Sequence, residues 1–311
     1  MHISNINQSY RGRFAPSPTG PLHFGSLVAA MGSYLDARSC DGEWLVRIED
    51  LDRTREIDGA TQLILGTLEK FGFHWDGEIT YQSRRTEAYA AAVEKLTKRQ
   101  LAYPCTCTRK EISERAVNGA EGAIYPGTCR HGLAEGREGR SIRILTSEQI
   151  INITDTIQGP LTQQIDREIG DFIIRRADGY HAYQLAVVID DAWQGITHIV
   201  RGADLLSSTP RQVFLQKLLR LSQPIYTHLP LVVDNQGRKL SKQHRDAPVD
   251  PKQPMDALLQ ALAFLHQPLP PQRPGSLDEF WQWATAHWSL AAIPATRQIP
   301  ASSLKYLNSL R

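Results

Sequence analysis

Long hydrophobic runs are missing from this sequence of 311 residues. The longest apolar stretches, such as residues 185–189, are far shorter than the roughly 18 residues that a membrane-spanning helix needs. Residues 1–10 also lack a basic segment followed by an apolar core, which is the pattern of an export signal. We therefore expect a cytoplasmic protein that makes no use of a membrane.

The chain also has few cysteines and a small net charge. The chain has four cysteines, too few for a small secreted protein that depends on disulfides. Three of them, Cys105, Cys107 and Cys129, lie close together in the chain, and in a cytosolic protein such a cluster indicates a metal site. The net charge of +2 neither requires a nucleic-acid partner nor excludes one.

Short apolar strands alternate with amphipathic helices in the first third of the chain. The pattern predicts strands at residues 11–15 and 44–48. It predicts helices that begin at residue 23 or 24 and that cover residues 57–71 and 87–101. Alternation of this kind predicts an α/β domain with a parallel sheet and helices on its faces.

The alternation stops in residues 102–182, where cysteines, glycines and short strands at 141–145 and 171–175 replace it. It resumes with the apolar run 185–189 and a predicted helix at 209–221. We therefore predict that 1–101 and 183–245 are two halves of one sheet domain and that 102–182 is an insertion. Residues 246–311 form a short segment with predicted helices at 255–264 and 277–288.

The stretch Pro21-Leu22-His23-Phe24-Gly25-Ser26 suits the binding of ATP. It passes from a loop into a helix, and the first amides of a helix can bind phosphate. Gly25 has no Cβ, so a nucleotide can approach the backbone closely. His23 is placed to donate a hydrogen bond to phosphate oxygens. The alternative is that it is a helix-entry residue bonded to the loop.

The stretch Lys239-Leu240-Ser241-Lys242-Gln243 supplies cations and follows a polar turn. A mobile loop with Lys239 and Lys242 can close over a triphosphate and stabilise the charge that develops as pyrophosphate leaves. The alternative is an exposed loop whose lysines only contact water.

These motifs, in this order, resemble the class I glutamyl-tRNA synthetases. The resemblance also rests on residues 13–20, 45–52 and 199–205, and it covers most of the stretch from residue 11 to 245. It implies a Rossmann-type catalytic domain that uses ATP with Mg²⁺. The catalytic residues that it implies are His23, Gly25, Lys239 and Lys242, and ATP would contact His23, Gly25, Ser26 and Lys242.

The resemblance also implies a glutamate pocket, formed by Arg13, Ala15, Ser17, Glu49, Tyr183 and Arg201. An arginine fork can hold a carboxylate with two hydrogen bonds, and an acid can hold an α-ammonium group. We expect Arg13 and Arg201 to contact the carboxylates and Glu49 the amine, without an assignment of each arginine to one carboxylate. The alternative is that Glu49 and Arg201 form a structural ion pair.

Such an enzyme needs no nucleophilic side chain. The substrate carboxylate attacks the α-phosphorus of ATP and forms an acyl-adenylate and pyrophosphate, while the protein aligns the reactants and stabilises charge.

Three thiolates and one further donor make a closed tetrahedral zinc site, which has a structural role, with one zinc ion per chain. The alternative is that the cysteines are reduced and buried as small apolar residues. Shortened members of the family resembled here imply Tyr125 as the fourth ligand. His131 competes with it, because Cys129 and His131 form a C-x-H pair and histidine is the commoner ligand.

The short segment after the lysine motif contrasts with full-length glutamyl-tRNA synthetases, which continue into a helical domain that reads the anticodon. The chain resembles the shortened members, which activate glutamate without tRNA and transfer it to the queuosine base at the wobble position of tRNA(Asp). We therefore expect ATP, L-glutamate and queuosine-bearing tRNA(Asp) as partners of a monomer. Three alternatives stay open: a minimal synthetase that charges a tRNA 3′ end, a ligase for a small-molecule acceptor, and a non-catalytic zinc adaptor that binds RNA.

Overall fold

Strands and helices alternate through much of the chain. The structure, a computed structural model, describes residues 9–119, 122–234, 236–238 and 248–301. In chain order, the strands are β1 (Arg11–Phe14), β2 (Glu43–Ile48), β3 (Thr80–Tyr81), β4 (Ala102–Cys105), β5 (Val117–Gly119), β6 (Gly122–Ile124), β7 (Ser141–Ile144), β8 (Ile150–Asp155), β9 (Gly159–Gln164), β10 (Ile173–Arg175), β11 (His198–Gly202), β12 (Ile225–Leu229), β13 (Leu231–Val233) and β14 (Gln298–Pro300). The helices are α1 (Phe24–Arg38), α2 (Ala60–Lys70), α3 (Thr86–Lys98), α4 (Arg109–Ser113), α5 (Ile165–Glu168), α6 (Tyr183–Trp193), α7 (Thr209–Leu219), α8 (Pro254–Phe264) and α9 (Leu277–Ala286).

Parallel strands form the centre of the fold, as predicted. β2 pairs in parallel with both β1 and β3, and β11 pairs in parallel with β12. The amide of Thr197, just before β11, donates to the carbonyl of Arg11 at 3.0 Å, so β11 lies beside β1. The strand order is therefore β3-β2-β1-β11-β12. In such a sheet ligands bind where the order reverses, at the carboxyl ends of the two central strands.

Two hydrophobic cores cover the two faces of this sheet. Successive side chains of a strand point to opposite faces. Accordingly Trp44 and Val46 pack into one core while Leu45, between them, packs against the other. The first core also contains side chains of α1, α2, α8 and α9, and the second contains side chains of α3, α6 and α7.

Some predicted boundaries differ from the observed ones, and the backbone gives the reason. The predicted helix 57–71 begins at Ala60, because Gly59 precedes it in the left-handed conformation with a φ of 77°. The apolar run 185–189 lies inside α6. It shows no polar stripe because Leu185, Ala186, Val187 and Val188 are all buried around the helix.

Residues 254–300 pack against the first half of the sheet domain. Side chains of α8 and α9 share a core with α1, and the indole of Trp281 donates to the carbonyl of Phe71 at 3.0 Å. β14 pairs in parallel with β13, which directly follows β12. No helix in the described part of the chain is long and apolar enough to cross a membrane.

The segment between the two halves of the sheet contains antiparallel structure. β4, β7 and β10 form one sheet, and β5–β6 and β8–β9 are hairpins. The β8–β9 hairpin returns to the parallel sheet, where the amide of Thr156 donates to the carbonyl of Tyr226 at 3.0 Å. This contact brings Asp155, at the end of β8, into the interior beside β12.

Candidate active site

A cavity of about 640 Å³ opens at the carboxyl ends of the parallel strands. The loop after β1, the start of α1, the end of β11 and the turn from β12 to β13 form its walls. The structure thus brings nine of the residues predicted from the sequence to one cavity: Arg13, Ala15, Ser17, His23, Gly25, Ser26, Glu49, Tyr183 and Arg201. Lys239 and Lys242 lie outside the described residues.

His23 stands at the first turn of α1. Its backbone is extended, and its Nδ1 accepts a hydrogen bond from the amide of Ser26 at 3.2 Å. Its Nε2 lies 3.0 Å from Ser26 Oγ. His23 therefore caps the helix and also lines the cavity.

Both flanks of the lysine motif lie at this cavity, although residues 239–247 themselves are not described. On the N-terminal side, Leu231 and Val232 of β13 line the cavity wall. On the C-terminal side, Pro248 forms an antiparallel bridge with His23, and the amide of Val249 donates to the carbonyl of Leu22 at 3.0 Å. The residues that precede the lysine motif and those that follow it therefore both lie near the cavity.

Arg201, at the end of β11, lines the cavity and is held by neighbouring polar groups. Its side chain is 5% exposed. Nε donates to His228 Nε2 at 3.0 Å, and Nη2 donates to Thr209 Oγ1 at 2.9 Å. Nη1 is buried and has no hydrogen-bond partner among the described residues. Because an unpaired buried donor is costly, an anionic ligand in the cavity would be stabilised here.

The side chain of Arg13, in β1, forms an ion pair with a buried carboxylate. Its Nε donates to Asp191 Oδ1 at 3.1 Å, and the same oxygen accepts from Arg47 Nη1 at 2.8 Å. Burial would raise the pKa of Asp191, but the guanidinium groups of Arg47 and Arg13 more than offset it and hold the pKa below its ordinary value. Asp191 is therefore ionised, and it fixes Arg13 at the cavity wall.

Glu49 follows β2 and places a carboxyl group in the cavity wall. Its Oε1 lies 3.4 Å from Arg47 Nη2, and it forms no ion pair with Arg201 among the described residues. Burial raises the pKa of Glu49, and Arg47 and Arg13 offset this only in part. A cationic group beside Glu49 would favour its ionised form.

Both guanidinium and carboxyl groups line this cavity, those of Arg13, Arg55, Arg201, Glu49 and Asp204. Such a lining suits a ligand with carboxylate and ammonium groups. Tyr183, at the start of α6, adds an aromatic wall, and burial raises the pKa of its phenol, which therefore stays protonated. The cavity also meets the amino end of α1, where the helix dipole favours an anionic group such as a phosphate. Nothing in this arrangement acts as a covalent nucleophile.

A second cluster lies away from the cavity, at the end of β4. The sulfur atoms of Cys105, Cys107 and Cys129 all lie within 4.8 Å of one another, and those of Cys107 and Cys129 are 3.6 Å apart. The hydroxyl of Tyr125 lies 3.4 Å from the sulfur atoms of both Cys105 and Cys107. His131 is exposed and lies outside this cluster.

These separations fit a four-coordinate metal ion. Tetrahedral zinc with ordinary ligand bonds places two sulfur ligands about 3.8 Å apart, and a sulfur and an oxygen ligand about 3.5 Å apart. The guanidinium of Arg143 stacks on the ring of Tyr125 at 3.9 Å and donates to Cys105 Sγ at 3.3 Å. A positive charge beside the cluster offsets part of the negative charge of several thiolates.

Several buried titratable residues behind the cavity were missed by the sequence analysis: Arg47, Asp155, Asp191 and His228. One signal was available, because Asp190 and Asp191 directly follow the apolar run of α6. Acids in such a position require buried partners. Asp155 and His228 gave no comparable signal, since each stands alone in an ordinary strand pattern.

Comparisons with known proteins agree with this geometry. The model of the family described as tRNA synthetases class I (E and Q), catalytic domain, matches residues 9–262. The glutamyl-Q tRNA(Asp) synthetase of Chromobacterium violaceum is 54% identical over 297 residues, which cover 95% of this chain and 99% of that protein. The protein of the same name from Dechloromonas aromatica is 52% identical over 292 residues, covering 93% of this chain and 97% of that protein.

Among solved structures, the glutamate-tRNA synthetase of Elizabethkingia anophelis is similar, with a TM-score of 0.78 and 26% identity. The match covers 97% of this chain and 70% of that chain. The α/β fold and the family resemblance predicted from the sequence are thereby confirmed. The chain belongs to the class I tRNA synthetases of the glutamate and glutamine group and is a ligase of that family.

Proposed function

We propose that this protein activates L-glutamate with ATP in the absence of tRNA and then transfers the glutamyl group to the queuosine base of tRNA(Asp). The observation that carries the first half is that Arg201, whose buried Nη1 has no partner in the described part of the chain, lines the same cavity as Arg13 and Glu49. The acceptor rests on the curated relatives, which are similar over nearly their whole length and carry the name glutamyl-Q tRNA(Asp) synthetase.

Glutamate is held through its charges. Arg201 and Arg13 bind its carboxylates, and Glu49 binds its α-ammonium group. Ala15, Ser17 and Tyr183 complete the walls of the pocket. Because Arg13 and Arg201 are each fixed by buried partners, little side-chain entropy is lost when the substrate binds.

ATP lies against the start of α1, as in other nucleotide sites at helix N-termini. Gly25 and Ser26 contact it closely and His23 donates to its phosphates. Lys239 and Lys242 belong to the segment whose flanks meet the cavity, and they neutralise the phosphates. Mg²⁺ accompanies the ATP, as is usual for nucleotide phosphates.

In the first step, an oxygen of the substrate α-carboxylate attacks the α-phosphorus of ATP. The bond to the bridging oxygen breaks, and pyrophosphate leaves as glutamyl-adenylate forms. The protein contributes alignment and charge stabilisation to this step. In the second step, a hydroxyl of the queuosine cyclopentene ring attacks the acyl carbon, forms an ester, and releases AMP.

We further propose that Cys105, Cys107, Tyr125 and Cys129 hold one structural zinc ion. Its role is to fix the short elements around β4, since a site with four protein ligands leaves no open position for a substrate. The chemistry of glutamate activation does not involve this site.

A second candidate function is the charging of a tRNA 3′ end. The similarity to a solved glutamate-tRNA synthetase favours it, because both reactions share the adenylate step. The two functions differ in the acceptor alone, so a test of the first step cannot separate them.

The first step is tested by the exchange of labelled pyrophosphate into ATP. We expect exchange that requires L-glutamate and proceeds without any tRNA, while L-glutamine and L-aspartate give little exchange. No exchange with glutamate, or exchange only after addition of tRNA(Glu), would contradict the proposed activation step.

A further inference from the structure

Asp155 holds the ring of His228 in one orientation. Asp155 Oδ2 lies 2.6 Å from His228 Nδ1, and Oδ1 accepts from the amide of His228 at 3.2 Å. Oδ1 also accepts from the amides of Ile157 at 3.1 Å and Gln158 at 2.9 Å. An ionised carboxylate with these donors can only accept, so the proton of the neutral imidazole resides on Nδ1.

This tautomer leaves the lone pair of His228 Nε2 free to accept. Nε2 lies 3.0 Å from Nε of Arg201, which can only donate, and 3.3 Å from Thr209 Oγ1. Arg201 is thereby fixed through Nε by His228 and through Nη2 by Thr209. Its third nitrogen atom, Nη1, has no hydrogen-bond partner in the part of the chain that the structure describes.

Burial, together with the charge of Arg201, favours the neutral form of His228. Burial lowers its pKa, the hydrogen bond to Asp155 raises it, and the charge of Arg201 lowers it, with a net lowering from the ordinary value. The titratable and charged groups that face it are Asp155 from β8, Arg201 from β11 and Arg13 from β1, and the ring of Tyr226 in β12 stacks near it with centroids 6.3 Å apart. Protonation would place a donor and a positive charge against Arg201.

We infer that His228 is a positioning residue for glutamate binding: held in its Nδ1–H tautomer by Asp155, it fixes the guanidinium of Arg201 so that Nη1 meets the substrate carboxylate. The inference rests on the proposed function, because it takes Arg201 as a glutamate ligand. The inference also gives the β8–β9 hairpin a role in substrate binding. This hairpin belongs to the segment between the two halves of the sheet and contacts the sheet.

Two variants separate the two hydrogen bonds of the ring. In His228→Asn the amide nitrogen replaces Nδ1 and can donate to Asp155, but nothing reaches Arg201. In His228→Gln the longer side chain places an amide oxygen near the position of Nε2, where it can accept from Arg201. Glutamate-dependent exchange in wild type and both variants gives kcat and the KM values for glutamate and ATP, and thermal melting reports the fold.

We expect the KM for glutamate to rise about tenfold or more in His228→Asn, because a misplaced binding group weakens substrate contacts. The KM for ATP should change less than about twofold, and His228→Gln should recover most of the glutamate affinity. An unchanged glutamate KM in a folded His228→Asn, or equal losses for both substrates, overturns the inference while the proposed function stands. A wild type without glutamate-dependent exchange overturns both.

The pH dependence gives a second measurement if His228→Asn does not fold. Because the pKa of His228 is lowered, its acceptor is present at neutral pH and is lost as the pH falls below the ordinary histidine value of about 6.5. The glutamate KM of the wild type should therefore rise with acid more steeply than that of His228→Gln. An increase in KM with acid that the wild type and His228→Gln share comes from other groups such as Glu49. If the pH profiles of the two proteins coincide, the inference is overturned.

Discussion

Asp191 in α6 and Arg13 in β1 form a buried ion pair directly behind the cavity, with Asp191 Oδ1 at 3.1 Å from Arg13 Nε and side chains that are 4% and 3% exposed. Arg47 shares the same carboxylate oxygen at 2.8 Å. The first turn of α6 carries Tyr183 to the cavity wall, and Asp191 lies further along the same helix. One helix thus supplies both a wall of the site and the anchor of a substrate-binding arginine.

Asp191→Asn should destabilise the fold strongly. It leaves the guanidinium of Arg47, which is fully buried, without its main countercharge. Loss of one partner of a buried pair costs about 3–5 kcal/mol. Urea unfolding measures this loss. Asp178→Asn is the matched control, since Asp178 pairs with Arg176 at the surface and exposed pairs contribute about 0–1 kcal/mol. Equal effects of the two substitutions would contradict the anchoring role.

Arg201→Lys should weaken glutamate binding without a loss of charge. Lysine cannot occupy the His228 and Thr209 contacts and reach the substrate with a third nitrogen atom at the same time. We expect the KM for glutamate to rise by about ten- to a hundredfold, with the KM for ATP nearly unchanged. Pyrophosphate exchange measures both values. Arg220→Lys, at an exposed position after α7, serves as the control and should behave as wild type.

His23→Asn should slow activation and leave the fold intact. Asparagine is a good helix cap and can accept from the amide of Ser26, as His23 does. It removes the imidazole donor to the phosphates, and the loss of one such donor costs about a hundredfold in rate. Exchange kinetics and the melting temperature of the same sample separate the two effects. An unchanged exchange rate in His23→Asn would mean that His23 serves mainly as the helix cap.

Cys105→Ser should lower bound zinc and reduce the melting temperature, with any loss of activity secondary. Its sulfur belongs to the cluster with Cys107 and Cys129, whereas Cys40 is exposed and lies outside it, so Cys40→Ser is the matched control. Metal analysis of the purified variants measures the effect. Tyr125→Phe should also lower the zinc content while His131→Ala should not. Stoichiometric zinc in Cys105→Ser would show that the assignment of ligands is wrong.

Much of the fold and the outline of the site could be predicted from the sequence. Strand-helix alternation predicts a parallel sheet. The motif residues lie near the carboxyl ends of strands or directly after them, so the topology gathers Arg13, Glu49 and Arg201 at one edge. The helical nature of residues 185–189 could not be read in this way. A helix that is buried all round has no polar stripe to reveal its period.

The contacts that hold the site together could not be predicted from the sequence. The hydrogen bonds among Asp155, His228 and Arg201 join three separate elements, and no local pattern specifies which buried polar groups will meet. The choice between Tyr125 and His131 depends likewise on the course of the chain around β4. The acceptor has no residue pattern at all, because an RNA loop is recognised by a surface and not by a short motif.

The most direct test of the account is the transfer of labelled glutamate to tRNA(Asp) with and without queuosine, each also prepared without its 3′-terminal adenosine. The account predicts label on both queuosine-bearing forms and on neither form that lacks queuosine. Equal labelling with and without queuosine, or label that disappears when the terminal adenosine is removed, would contradict it and would favour the charging of a tRNA 3′ end.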